Sequence, residues 1–347
     1  MRRGGARHPL VELTQARVME FFREPEAIFW AFVFPLVLTL ALAAAFPSSA
    51  DRPVVVGLVA GTEGETTRVA LEAAAGLRVV DLRPDEEPGA LRDGVVHIVV
   101  VPTDPPTYRY DASQDESHRA RLAVDDALKR AAGRVDPWNA AEVRVTVPGS
   151  RYVDWLIPGL IGMGIMTNGM WGVAFPIVNS RLRKLLKRFM ASPMQRWEYL
   201  LAQVLGRMVF LAPEVTFPLA FGSLVLGLPI LGSYAAIAVV VLVGALAFGA
   251  IGLLLGSRAR TIEAVSGLVN AFQLPMWLLS GVFFSSANFP AALQPVIHAL
   301  PLTALNDALR AVVLDGAGLV DVWRDLALVS AWGGASFVLA LKLFRWK

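Results

Sequence analysis

Six runs of mostly apolar residues, each near twenty long, decide what this chain can fold into: 27–47, 155–178, 199–226, 234–255, 262–284 and 322–343. The hydrocarbon core of a bilayer is about 30 Å thick and a helix rises about 1.5 Å per residue, so a run of about 20 apolar residues makes one crossing. Charged residues are only 18% of the 347-residue chain and hydrophobic ones 55%, against roughly 25% charge in soluble domains. Much of the sequence therefore has lipid as its solvent. The first run follows Arg2, Arg3 and Arg7, as a secretory signal would, but it is longer than a signal's apolar core and begins well inside the chain. It is predicted to span. The third run holds Pro213 and Pro218, which neighbouring membrane helices accommodate. A seventh apolar stretch, 288–314, is broken by Pro290, Pro295 and Pro301 and reads as a re-entrant or interfacial hairpin.

Basic residues orient these spans, because short cytoplasmic loops carry the excess of Lys and Arg. Arg2, Arg3, Arg7, Arg17 and Arg23 precede the first span, and Arg181, Arg183, Lys184, Lys187, Arg188 and Arg196 lie between the second and third. Arg258 and Arg260 follow the fourth, and Lys342, Arg345 and Lys347 come last, whereas the turn between the third and fourth has no charge. All these clusters share one side when both termini are cytoplasmic, as an even number of spans also requires. The expected class is an α-helical membrane protein with six transmembrane helices and one small inserted α/β domain. Its expected parts are a cytoplasmic tail with an interfacial helix (1–25), the first span (26–48), an extracytoplasmic domain (49–151) and the remaining spans (152–347).

Within the insertion, Val54–Val59 and Leu77–Leu82 read as strands, as do 95–101 and 107–111, while 65–75, 86–92 and 116–132 have helical spacing. Strands alternating with helices predict an α/β layer with partly parallel pairing. Its acidic groups, among them Asp81, Asp85, Glu86, Asp111 and Glu116, have no nucleophile or metal partner at a spacing that acid–base chemistry needs. They read as a solvated surface.

Segments near or inside the membrane hold the mechanistic candidates. Leu10, Val11, Val18, Phe21 and Phe22 fall on one side of a helix over 10–24, as in helices that lie in the interface plane. Over 181–190 the separation is cleaner: Leu182, Leu185, Leu186, Phe189 and Met190 take one face, and Arg181, Arg183, Lys184, Lys187 and Arg188 the other. Such a helix can hold anionic lipid heads or offer a surface to a cytoplasmic partner. Ser192-Pro193-Met194-Gln195 then restarts a helix. In the fifth span Glu263, Ser266, Asn270 and Gln273 recur at helical spacing, and a polar stripe in a membrane is expected to face protein or water. Glu214 lies deep in the third span with no obvious Arg or Lys partner in another span.

Several functions are excluded. No G-x-x-x-x-G-K-[ST] occurs, so this sequence holds no P-loop for ATP. It has no cysteine and four scattered histidines, which argues against a metal site or a His-based triad, and its net charge of +3 is too small to suggest nucleic acid. The halves show no evident internal repeat of the kind secondary transporters carry.

The order of parts resembles the ABC-2 type permeases, the membrane subunits of bacterial ABC exporters, in the subgroup with a large extracytoplasmic domain between the first two spans. Phe22-Arg23-Glu24-Pro25 leading to Phe34-Pro35 is similar to that family's interfacial helix and first span, and VPGSRYVDWLIPG (147–159) to its return into the second. RFMASPMQRWEYL (188–200) is similar to its cytoplasmic connection. Ser280-Gly281-Val282-Phe283, Pro301-Leu302-Thr303 and Asp307-Ala308-Leu309-Arg310 are similar to its C-terminal signature, although Ala304 stands where an aromatic often follows. The resemblance implies a second permease subunit, identical or related, and a cytoplasmic ABC ATPase that supplies ATP and Mg, with no cofactor on this chain. It implies that 181–197 is the coupling segment, through Arg181, Arg183, Lys184, Lys187, Arg188, Arg196 and neighbouring Glu198. It implies a translocation path near Glu214, Glu263, Asn270 and Gln273, and an outer re-entrant hairpin carrying Pro301, Thr303, Asp307 and Arg310. The implied activity is export of a drug, lipid or similar amphiphile from a multi-pass position in the inner membrane. The alternative is a non-transporting assembly or anchor protein that recruits partners through its outer domain.

Overall fold

A computed structural model describes residues 29, 33–45, 53–59, 64–136, 149, 151–184 and 196–343, the last without side chains up to 207. Contacts divide the chain into two compact units, Pro47–Val145 and the remainder, Met1–Phe46 with Thr146–Lys347.

The smaller unit is built on a sheet of β1 (Val54–Val59), β2 (Leu77–Leu82), β3 (Ile98–Val101) and β4 (Thr107–Arg109) in the order β2-β1-β3-β4. β1 pairs in parallel with β2 and β3, and β4 closes antiparallel on β3. Side chains alternate across a strand, so one face collects Val56, Leu58, Ile98 and Val100. Leu71 of α2 (Gly64–Glu72) and Ala120 and Val124 of α4 (Asp115–Ala131) cover them. The other face gathers Val59, Leu82, Val96 and Val99, with Ala90 and Leu91 of the short α3 (Glu87–Arg92). β1 and β2 have the limits their β-branched runs predict. β3 begins at residue 98 rather than 95, because His97 replaces a ladder partner: its Nδ1 accepts from Val55 N (3.0 Å) while its own N donates to Val55 O (2.9 Å).

The larger unit is helical. Its elements are α1 (Phe34–Ala45), α5 (Tyr152–Leu182), α6 (Arg196–Leu226), α7 (Tyr234–Arg258), α8 (Ile262–Leu279), α9 (Gln294–Ala299), α10 (Pro301–Asp315) and α11 (Trp323–Leu343). Among the described residues α5, α7, α8, α11 and the stretch Met208–Leu226 of α6 are long and apolar enough to cross a membrane. Of the predicted first span, 29 and 33–45 lie within the described residues, with 34–45 a helix of 12. The interfacial helix expected over 10–24 lies outside them.

α5 is the hub, in contact with α1, α6, α7, α8 and α10. Its 31 residues keep Pro158 and Pro176 inside the helix, as packed membrane helices tolerate. At its start Arg151 clasps Asp154 in a two-pronged pair (3.0 and 2.8 Å) and donates to Gly227 O at the end of α6 (2.9 Å). α7 and α8 start on hydroxyl caps: Ser233 Oγ accepts from Ala235 N, and Thr261 Oγ1 from Ala264 N, both at 3.2 Å. α8 is predicted to reach 284 but stops at Leu279, because Ser280 ends it and Gly281 turns with φ 68°. The proline-broken stretch that follows forms short turns, α9 and α10, with an 83° bend between Ala291–His298 and Pro301–Leu314. α10 takes Pro301 in its first turn, where a missing N–H costs nothing, and ends on left-handed Gly316 (φ 71°).

Candidate transport site

Two polar contacts cross the helical unit from neighbouring positions of α5. Asn168 Nδ2 donates to Glu214 Oε1 on α6 at 2.6 Å, and Trp171 Nε1 donates to Gln273 Oε1 on α8 at 3.1 Å. Residues three apart share a helix side, so α5 holds α6 and α8 with adjacent side chains. Glu214 and Gln273 are buried, at 5% and 3% exposure. Burying such groups in an apolar surround costs several kcal/mol unless they are hydrogen-bonded. Glu214, for which the sequence offers no evident basic partner, is held by an amide. The missed signal was Asn168, which with Thr167 interrupts an otherwise apolar run over 155–178. Glu214 also lines a small cavity with Pro35 and Thr39 of α1, Ile157, Ile161 and Gly164 of α5, and Pro218 and Phe221 of α6.

The stripe on α8 divides. Gln273 faces α5, with Val265, Val269 and Met276 buried beside it, but Asn270 is exposed within this chain and Ser266 half-buried. Within this chain Gln273 is the stripe residue that faces protein, and Asn270 does not. Glu263 is exposed in the first turn, just after the Thr261 cap. There the positive end of the helix favours a carboxylate, so the helix start accounts for that residue. Burial follows 265, 269, 273 and 276, a face turned away from Asn270 and Glu263.

The C-terminal signature residues converge. Arg310 on α10 is buried, donates to Trp155 O (3.3 Å) and Gly281 O, and lies 3.5 Å from the centre of the Trp155 ring. Asp307, about half-exposed, is its ion-pair partner at 3.7 Å. Asn306 donates to Ser280 O (3.1 Å), while its Oδ1 lies against Gly162 so closely that a Cβ there would stand 2.0 Å away. Thr303 and Pro301 are buried in the same helix. Fragments far apart in sequence, at 155–162, 280–281 and 303–310, thus form one lock between α5, the end of α8 and α10. Asn306 and Trp155 belong to it and were not singled out from sequence.

At the opposite end of α5 the basic residues separate. Arg183 and Lys184 are exposed; Arg181 turns inward, Nη1 donating to Gly256 O (3.3 Å) and Ala259 O, Nη2 to Ser257 O (3.2 Å). Lys187 and Arg188 lie outside the described residues, and Arg196 and Glu198 fall in α6 where only the helix is described. No group of His, Cys, Asp and Glu able to hold a metal occurs among the described residues.

These helices and the inserted α/β unit make a multi-pass helical membrane protein, and the family model described as ABC-2 family transporter protein matches residues 25–342: the chain belongs to that family. It is 28% identical over 171 residues to the inner membrane transport permease YhhJ of Escherichia coli (strain K12), covering 49% of this chain and 46% of that one. It is 24% identical over 196 residues to the probable multidrug ABC transporter permease YbhR of the same strain (55% and 53%) and 26% identical over 206 residues to its inner membrane transport permease YadH (57% and 75%). The chain spans about half the length of the first two of these relatives.

Proposed function

We propose that this chain is the membrane-spanning subunit of an ATP-driven exporter in a bacterial inner membrane, moving a drug, lipid or similar amphiphile outward. The carrying observation is the family match over 25–342 in a sequence with no P-loop: the helices are those of a transporter, and hydrolysis falls to a separate ATPase. In this reading six spans place both termini in the cytoplasm, the 49–151 domain faces outward, and 288–314 re-enters from that side. The segment from exposed Arg183 and Lys184 through Lys187, Arg188, Arg196 and Glu198 receives the ATPase, which holds ATP and Mg. A second permease copy or relative covers the open side of α8, where Asn270 would otherwise meet lipid at a cost no lone polar side chain recovers. Closure of the ATPases then rocks the helical units about α5, and the amphiphile passes along a path near Glu214, Asn270 and Gln273.

The test is co-reconstitution with a cytoplasmic ABC ATPase, sought first in the neighbouring gene. ATP-dependent transport of a fluorescent amphiphile is expected with both subunits and none with either alone. Transport by this chain alone down an ion gradient would refute the reading. Loss of ATPase co-purification is expected when Arg183 and Lys187 are both changed to Glu; unchanged binding and activity would leave that segment as a lipid anchor.

A further inference from the structure

The last four carbonyls of a helix have no partner within it and form the negative end of its dipole. At the end of α7 these groups meet Arg181 of α5, whose guanidinium donates to the carbonyls of Gly256, Ser257 and Ala259. A planar fork with several fixed donors suits three carbonyls at once, as a lysine's point charge does not. Ala259 is the C-cap of α7, and only Arg260 separates it from Thr261, the N-cap of α8. One side chain therefore holds both the end of α7 and the turn from which α8 departs.

Backbone contact between α5 and α7 strengthens this link. A Cβ on Gly256 would stand 3.0 Å from Ala174 Cα, and one on Gly252 2.7 Å from Met170 O. Only glycine lets the two backbones meet this closely, so α5 and α7 pack directly against each other beside Arg181. Further along, α8 returns to α5 through Gln273 and Trp171. The basic segment continues directly from Arg181, through exposed Arg183 and Lys184.

We propose that Arg181 is a positioning residue: it locks α5 and α7 into one lever with the basic segment as its handle and the start of α8 as its load. This rests on the reading of that segment as the ATPase contact. A displacement of the segment carries the guanidinium with it, and the three carbonyls follow, turning the root of α8. Without the guanidinium the last turn of α7 loses its donors, and α8 moves independently of the handle.

The chain has no cysteine, so a nitroxide pair can be placed at Leu182→Cys and Ala264→Cys, both exposed, in the complete complex with its ATPase. With Arg181 present, a narrow distance distribution that shifts as a whole on ATP binding is expected. In Arg181→Gln the distribution is expected to broaden. Transport per ATP should fall about threefold to thirtyfold, the range of a coupling loss of this kind. Arg181→Lys, which keeps the charge without the fork, should fall between the two, and it decides the matter if the Gln variant does not insert. Parent-level transport per ATP or an unchanged distribution overturns the proposal. Loss of co-purification also overturns it, by making Arg181 a docking residue. A parent complex that transports without its ATPase refutes the exporter reading instead, while the distance distributions still report on the lock.

Discussion

Gly162→Ala tests the lock between α5 and α10 most sharply. The new Cβ would stand 2.0 Å from Asn306 Oδ1, whereas a close C···O approach is about 3.3 Å, so about 1.3 Å must be found. Asn306 cannot swing away easily. It is fully buried, its Nδ2 is tied to Ser280 O at 3.1 Å, and Leu302 Cδ1 closes the remaining side at 3.6 Å from the new atom. The displacement therefore falls on the helices, at a cost of about 2–3 kcal/mol for overpacking. Asn306→Ala alone removes the donor of a buried carbonyl, worth about 1–2 kcal/mol. Together the two changes relieve the clash, so the double variant should lose at least about 1 kcal/mol less than the sum of the singles. Unfolding in detergent, followed by tryptophan fluorescence with size-exclusion recovery as a second readout, measures all four forms. A Gly162→Ala protein within about 0.5 kcal/mol of the parent, or strictly additive variants, would refute the close approach; about 0.5 kcal/mol is what a surface change far from any such feature produces.

Asn168→Leu should destabilise the helical unit by about 1–3 kcal/mol, because Glu214 keeps its burial and loses a donor. Glu214→Gln retains an acceptor and should cost less, and the same unfolding assay ranks the two. In the α/β unit, Lys129 hydrogen-bonded to Asp125 at 2.8 Å holds that carboxyl below its ordinary value, with Tyr108 and Arg121 acting in the same direction. A depressed carboxylate contributes stability above its unfolded value of about 4, and that contribution disappears as pH falls through the folded value. Between pH 7 and pH 3 the parent should therefore lose more stability than Asp125→Asn; parallel pH profiles would contradict this. Tyr108 is pushed above the ordinary phenol range by burial and then by Asp125, so alkaline absorbance titration of Tyr108→Phe against the parent should remove a late-ionising phenol.

Much of the architecture was legible in the sequence because its causes are local. Spanning length is a property of one run of residues, and α5, α6, α7, α8 and α11 occur where those runs lie. β1 and β2 begin and end where β-branched runs meet glycine and polar residues. α10 lies within the proline-broken stretch 288–314, but its limits at Pro301 and Gly316 emerge only in the structure. What a run cannot specify is its neighbour. The period of Glu263, Asn270 and Gln273 defines a face of α8, yet only packing decides that Gln273 meets Trp171 while Asn270 stays open. Glu214 carries no sign that Asn168, 46 positions earlier, would hold it. Arg181 looks like any basic residue after a span until α7 ends beside it and offers three carbonyls. The physical reason is the same each time: hydrophobic length and periodicity act within a segment, whereas a buried polar group is satisfied by whatever the fold places within about 3 Å. Only the tertiary structure makes that choice.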